Sequence, residues 1–423
     1  MKQFHSLFLI PLLILGSLAP VASAQDSDTQ FSPAGGTILA NIDTERYNAD
    51  PHIAMAPNGS FVVVWESEDD QGDSSIEARI FSTTGDPIST PFIVNQGEEE
   101  RHRSPSVAVL NRDGHFVVVW EVNRPGADEQ SWDVAYRLFD ASGNPLSDER
   151  LANQTLFDQQ KGADVAPNLV TGGFVITWGG HNAETQNFDI YFRGFDAAGE
   201  PLYDEQVVVS NQDHHYDPRV DISSIGTFAI IWETDTGDHS DIHYQLFDES
   251  GQPLLDQIAQ VHTQEAEDQN DANVAMGPDG VFTIVWDSDH SGLLECYAMQ
   301  FDAAGEPTGP SFQLNDTIQA HDPVISIEMI SGNFVVAFVD STYADDVIYA
   351  KQFTHDGMAI DQGYFVHQNN VFHQGVPDIA FRPDGAGFAV TWENTLNDGS
   401  TEILVRLFGE YDPTTQIDHY AVY

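Results

Sequence analysis

The chain repeats one hydrophobic phrase. A phenylalanine, three mostly β-branched residues and a tryptophan recur as Phe61/Trp65, Phe116/Trp120, Phe174/Trp178, Phe228/Trp232, Phe282/Trp286 and Phe388/Trp392. Phe334/Phe338 is the same phrase with the tryptophan replaced. Successive copies start 55, 58, 54, 54, 52 and 54 residues apart, with a glycine one or two residues before each phenylalanine. Such a run, rich in Val and Ile and opened by a glycine, predicts a strand buried on both faces.

Three further strand-like pieces accompany it. One follows Pro51, Pro105, Ala163, Pro218, Ala272, Pro323 or Pro377. Another ends in Phe81, Phe139, Phe195, Phe247, Phe301, Phe353 or Phe408, and Asp241 to Phe247 shows its in–out alternation. A short last piece ends in Asn95, Asn153, Asn211, His262, Asn315 or His367. Four antiparallel strands per unit and seven units predict an all-β fold, a seven-bladed β-propeller, in which neighbouring blades cover each other's faces. The seventh unit loses its pattern after Phe408, while Ile38-Leu39-Ala40-Asn41 matches Arg150-Leu151-Ala152-Asn153. The N-terminal strand is therefore expected to complete the last blade and remove an exposed edge. The expected organisation is a signal peptide over 1–24, a short linker over 25–37, the propeller over 38–408 and a tail over 409–423.

Alternate connections in such a fold share a face. The turns after the third strand are near copies of Phe139-Asp140-Ala141-Ser142-Gly143-Asn144-Pro145, and Gly85, Gly143, Gly199, Gly251, Gly305 and Gly357 all fall four residues after the phenylalanine. Repetition of this kind reads as structural, the glycine serving a turn with positive φ. The opposite face carries the between-blade loops and the loops between strands two and three, which vary; function on a regular scaffold gathers on such loops.

That variable face holds the candidate chemistry. Asp50, Asp217, Asp271 and Asp322 stand just before the first strand-like piece, which in a propeller lines the channel, so their carboxylates are expected at one channel mouth. Carboxylate oxygens suit calcium; the alternative is an aspartate bonding its own backbone beside a proline. His102, His181, His214, His215, His239, His290, His321 and His373 gather on the same face, without a fixed spacing of the HExxH kind, as ligands for a transition metal or as polar loop residues or sugar-contacting groups. The acidic loop with Asp235, Asp238 and Asp241 is a weaker candidate calcium loop, lacking the full DxDxDG register. Asp217, Asp271, Asp322, His214, His215 and His321 are taken as the ligand-binding set, and Asp50, Asp235, Asp238 and Asp241 as candidate metal ligands. Two more repeated positions fit packing between blades better than a ring of sugar sites, in which the tryptophan stacks beneath a ligand and the acid grips its hydroxyls: the acid after the signature tryptophan (Glu66, Glu121, Glu233, Asp287, Glu393), and the base two residues before the third-strand phenylalanine (Arg79, Arg137, Arg193, Lys351, Arg406).

Charge narrows the partners. With 67 acidic and 15 basic residues and a net charge of −52, the chain is expected to bind neither nucleic acid nor an anionic membrane surface. Lys2, the apolar run Leu7 to Leu18 and Ala22-Ser23-Ala24 read as a secretory leader, which places the product in the periplasm or outside the cell. Cys296 is the only cysteine, so no internal disulfide forms.

The pattern Gly-x-Phe-Val-Val-x-Trp, then Phe-Asp-Ala-x-Gly-x-Pro, then Val-Asn resembles bacterial secreted repeats found in large surface proteins and in RTX-type proteins of the haemolysin calcium-binding group. The resemblance spans about residues 38 to 408 and implies a fold more than an activity. The chain carries neither glycine-rich GGxGxDxxx nonapeptides nor the S-x-D-x-G-x-T-W box of sialidase propellers. The leading expectation is a non-catalytic secreted propeller that binds a glycan, a cation or a partner protein through its variable face. One alternative is a polysaccharide-acting hydrolase or lyase with carboxylates at the channel mouth; another is a purely structural surface protein.

Overall fold

The computed structural model describes residues 30–410 except 44, 98–99, 124–130, 157–158, 262–267, 290, 343–344 and 368–372. Those residues form seven antiparallel sheets, six of four strands and one of five, arranged as blades around a channel. The innermost strands are Tyr47–Met55, Arg101–Val109, Gln160–Pro167, His214–Ile222, Gln269–Met276, Ala320–Ile327 and His373–Phe381. Each touches the innermost strand of the next blade, and the last touches the first, which closes the ring.

The signature phrase forms the second strand of each blade. Its phenylalanine pairs across the ladder with the third-strand phenylalanine, and the two rings stack: Phe61 on Phe81 at 5.0 Å, Phe174 on Phe195 at 5.0 Å, Phe388 on Phe408 at 4.6 Å between centroids. Seven hydrophobic clusters follow, one at each junction between blades. Trp120, for example, packs with Val62, Val64 and Ile76 of the preceding blade. This is why the phrase is apolar throughout: both faces of the strand are covered.

Closure involves two short strands. Ile38–Leu39 pairs with Val405 and Leu404 of the last strand, Thr401–Glu410, as the sequence predicts. Asn41 then accepts a hydrogen bond from Ile403 N–H at 2.8 Å, the same bond that Asn95, Asn153 and Asn315 make with Ile76, Val134 and Cys296 at 2.9 Å in their own blades. The stretch expected as a linker adds another strand, Phe31–Pro33, paired with Phe408–Glu410. Phe31 is buried edge-on against Phe381 and Phe388, and Gln352 of the sixth blade bonds both its N–H and its C=O. Residues 1–29, which include the expected leader, and residues 411–423 lie outside the described residues.

The repeated bases are interblade staples. Arg79, Arg137 and Arg193 each donate to carbonyls of the preceding blade's outer edge (Ala40, Val94 and Ala152) while lying over Phe81, Phe139 and Phe195. Lys351 and Arg406 reach Leu314 and Val366 in the same way. Cys296 is buried, and burial holds its thiol well above its ordinary pKa, so it stays protonated and inert.

Candidate functional site: an acidic channel mouth

Every innermost strand carries a bulge near the variable face. The ladder slips between Ala49 and His52, Arg103 and Ser106, Lys161 and Asp164, Tyr216 and Arg219, Asn270 and Asn273, His321 and Val324, and Gly375 and Asp378. The residues at the slip are Asp50, Ser104, Gly162, Asp217, Asp271, Asp322 and Val376, with φ between 45° and 63°. That left-handed conformation strains most side chains, and Asp and Gly tolerate it better than most. Backbone geometry therefore accounts for the recurrence of aspartate. Neither a turn aspartate nor a ligand ring was the full reason.

The repeated acids meet these bulges. Glu393 accepts the N–H of Asp50 at 2.7 Å, Glu121 that of Gly162 at 2.7 Å, Asp287 that of Asp322 at 3.3 Å and Glu66 that of Ser104 at 3.4 Å. Glu233 accepts from Ala272, one residue past its bulge, at 3.3 Å. Each acid belongs to one blade and each amide to the next, so the packing role expected for this position is specifically a hydrogen bond to an out-of-ladder N–H. Gly179 and Val339 stand at this position in the third and sixth blades.

The result is a ring of carboxylates in which charges crowd. Burial, then the charges of Asp217 and Asp271, push Glu233 up to about 8. Burial also raises Glu66 and Glu393 to about 7, with Asp50 adding to both. The tightest set is Asp271, Asp287 and Asp322, whose carboxylate oxygens lie within 4.8 Å of one another. Asp287 is buried, Asp322 partly so, and Asp271 exposed. Burial first, and the neighbouring carboxylates second, raise both Asp271 and Asp287, so this set retains a proton near neutral pH. His321 Nδ1 lies 3.2 Å from Asp322, and that contact raises the imidazole.

Of the sequence-predicted ligand set, Asp217, Asp271, Asp322 and His321 stand at this mouth. His214 does so against Phe188 and Tyr216, its ring centroid 5.3 and 5.5 Å from theirs, and burial lowers its pKa. His215 does not reach it. It is buried between Thr234 Oγ1 at 3.0 Å and Asn211 Oδ1 at 3.1 Å, and burial lowers it to about 4. His102 is likewise spent inside, accepting the Trp120 indole N–H at 3.1 Å. Among the described residues no histidine joins a set of three metal-ligating side chains, and His290 lies outside them. Asp50 belongs to the mouth beside Glu66 and Glu393. Asp235, Asp238 and Asp241 do not converge on one point. Asp235 caps Gly237 N–H at 2.6 Å, Asp238 is exposed, and Asp241 is buried beside His239. Sequence reasoning favoured packing for Asp287 over a sugar-gripping role. Its position after Trp286 was visible, but its approach to Asp271 and Asp322 depends on how successive blades stack.

No protein-family model and no curated protein matches the chain. Solved structures do resemble it in fold. A protein of unknown function from Dyadobacter fermentans DSM 18053 aligns with a TM-score of 0.57 and 12% identity over 90% of this chain and 99% of its own. The polysaccharide lyase Uly1 aligns with a TM-score of 0.57 and 8% identity over 90% and 100%. An α-L-arabinanase from Penicillium chrysogenum, complexed with arabinobiose, aligns with a TM-score of 0.52 and 12% identity over 72% and 92%. At such identities the likeness is one of β-propeller architecture.

Proposed function

We propose that this protein acts on a polysaccharide across its variable face, as a hydrolase or lyase, with carboxylates at the channel mouth as acid and base. The observation that carries this reading is the trio Asp271, Asp287 and Asp322. It joins an exposed carboxyl to a buried one that keeps a proton, with a third carboxyl within 4.8 Å of both. Cleaving a glycosidic bond, or eliminating across it, needs a proton donor and a proton acceptor within one site, with pKa values pushed apart. Asp271 reaches substrate and supplies the proton. Asp322, steadied by His321, accepts one. Asp287 positions both through the Asp322 amide and the shared proton. The resemblance in fold to a polysaccharide lyase and an arabinanase supports the substrate class.

A panel of neutral and acidic polysaccharides, read for new reducing ends and for the ultraviolet absorbance of an unsaturated product, tests the proposal. Cleavage lost in Asp271→Asn and Asp322→Asn, and kept in Gly199→Ala on the opposite face, is the expected result. No cleavage of any polymer by the folded protein overturns it.

The same three oxygens, within 4.8 Å, also favour a second reading: non-catalytic binding with calcium held at the mouth. Calorimetric titration with calcium and magnesium separates the two. A calcium-selective isotherm that Asp271→Asn abolishes, in a protein that cleaves nothing, supports the second.

A further inference from the structure

Charge is unevenly divided around the mouth. The fifth and sixth blades hold the aspartate trio, and the seventh and first hold Glu393, Asp50 and Glu66. The second and third blades break the series: Ser104 and Gly162 occupy the bulges, and Gly179 replaces the acid after Trp178. In this gap stand two cations. Arg103 and Lys161 occupy the same position on adjacent blades, each immediately before its bulge.

Neither is used up by the protein. Arg103 lies 3.8 Å over the Trp132 ring and donates Nε to Glu121 Oε2 at 2.7 Å, with its side chain 39% exposed. Its remaining N–H groups have no partner among the described residues. Glu121 is buried and spends its other oxygen on Gly162 N–H, so its charge faces inward while the guanidinium faces out. Lys161 Nζ is held 4.3 Å over the Phe188 ring and has no hydrogen-bond or ion-pair partner among the described residues. The other lysine beyond the leader, Lys351, is buried and bonds both Asp316 and the Leu314 carbonyl. In a chain with 67 acids and 15 bases, a base readily finds an acidic partner. Two cations on adjacent blades, held over aromatic rings and left with open donors where two successive bulges carry no carboxylate, have the form of an anion subsite.

We propose that Arg103 and Lys161 bind an anionic substituent, a carboxylate or a sulfate ester, on a sugar of the polysaccharide. This rests on the polysaccharide reading above and gives the substrate its charge. A polyanion is drawn to these two cations and repelled by the crowded carboxylates of the trio and of Glu393, Asp50 and Glu66, which fixes its register across the mouth. A neutral chain has no such register.

Scarcity of lysine supplies the test. An N-hydroxysuccinimide ester should acylate Lys161 and spare the buried Lys351, as read by peptide mapping. Oligogalacturonate, a sulfated dextran oligomer, and neutral arabinan and dextran oligomers are then added separately as protectants. The expected result is protection of Lys161 by an anionic oligomer and none by the neutral ones. Oligogalacturonate alone protecting identifies a carboxylate, the sulfated oligomer alone a sulfate ester, and both a site that reads charge only. Lys161→Met should weaken binding of the protecting oligomer about tenfold at unchanged melting temperature, and raised salt should remove most of the difference. Neutral oligomers protecting as well as anionic ones would overturn the anion subsite and leave the polysaccharide reading standing. Unchanged affinity in Lys161→Met overturns the subsite alone. If no oligomer of either kind binds, the anion subsite falls, and the cleavage panel decides the polysaccharide reading.

Discussion

The backbone N–H of Asp50, in the first blade, donates to Oε1 of Glu393, in the seventh, at 2.7 Å. This bond joins two ends of the chain 343 residues apart. It is the ring-closing copy of an interaction made at four other junctions. Each time a buried or half-buried acid satisfies an amide that the bulge has taken out of its ladder.

These acids should make the fold sensitive to pH in an unusual direction. Glu233 and Glu393 ordinarily titrate near 4.5, and in the folded chain near 8 and 7. The folded state therefore binds their protons more tightly than the unfolded state does. Their contribution is fully present below about pH 4.5 and is lost as pH rises through 7 and 8. Melting temperature should fall between pH 5 and pH 8. Glu393→Gln keeps an acceptor for Asp50 without the charge, so it should flatten that slope and gain on the order of 1 kcal/mol at pH 8. Glu393→Leu should instead cost about 1–3 kcal/mol through the unsatisfied amide. A Gln variant with the wild-type slope in differential scanning fluorimetry refutes this.

The bulges predict a ranking that side-chain chemistry alone does not. Asp271 has φ of 51°. Asp271→Gly and Asp271→Asn should leave the melting temperature within a degree or two, whereas Asp271→Val should cost on the order of 1–2 kcal/mol from left-handed strain. Circular dichroism melts of the three variants check the order. Valine as benign as glycine would mean that the bulge does not constrain the position.

Closure depends on both N-terminal strands. Removing residues 25–45 deletes Phe31 from between Phe381 and Phe388, and Asn41 from Ile403. The edge of Thr401–Glu410 is then open. Aggregation or a broad, non-cooperative melt is expected. Asn41→Ala alone should cost about 1–2 kcal/mol. Chemical denaturation with light scattering reads both, and an unchanged truncated protein refutes the clasp.

The repeated turns should behave as structure. Gly199 has φ of 73°, and a Cβ there meets Leu138 Cδ1 at 2.8 Å. Gly199→Ala should therefore lower stability by about 1 kcal/mol or more without changing binding at the opposite face. Loss of binding at unchanged stability would show that the working face is the wrong one.

The sequence alone determined the repeat, the blade number, the face of the monotonous turns and the closing strand at Ile38. The reason is physical. A strand buried on both faces must be apolar throughout, and a blade copied seven times writes that need seven times. Residue spacing also put Asp217, Asp271 and Asp322 near one mouth. Tertiary structure alone decided what those residues meet. Two of the predicted histidines, His102 and His215, turn inward because a first-strand side chain next to the signature tryptophan faces the blade core, and a single chain's alternation is broken by the bulge two residues later. Asp287 joins Asp271 and Asp322 because one blade's second strand packs against the next blade's bulge, a contact between residues 35 apart that no local pattern records. Lys161 and Arg103 became conspicuous for the same reason. Their neighbours in sequence are ordinary, and only the ring of blades sets them side by side where two successive bulges, Ser104 and Gly162, carry no carboxylate.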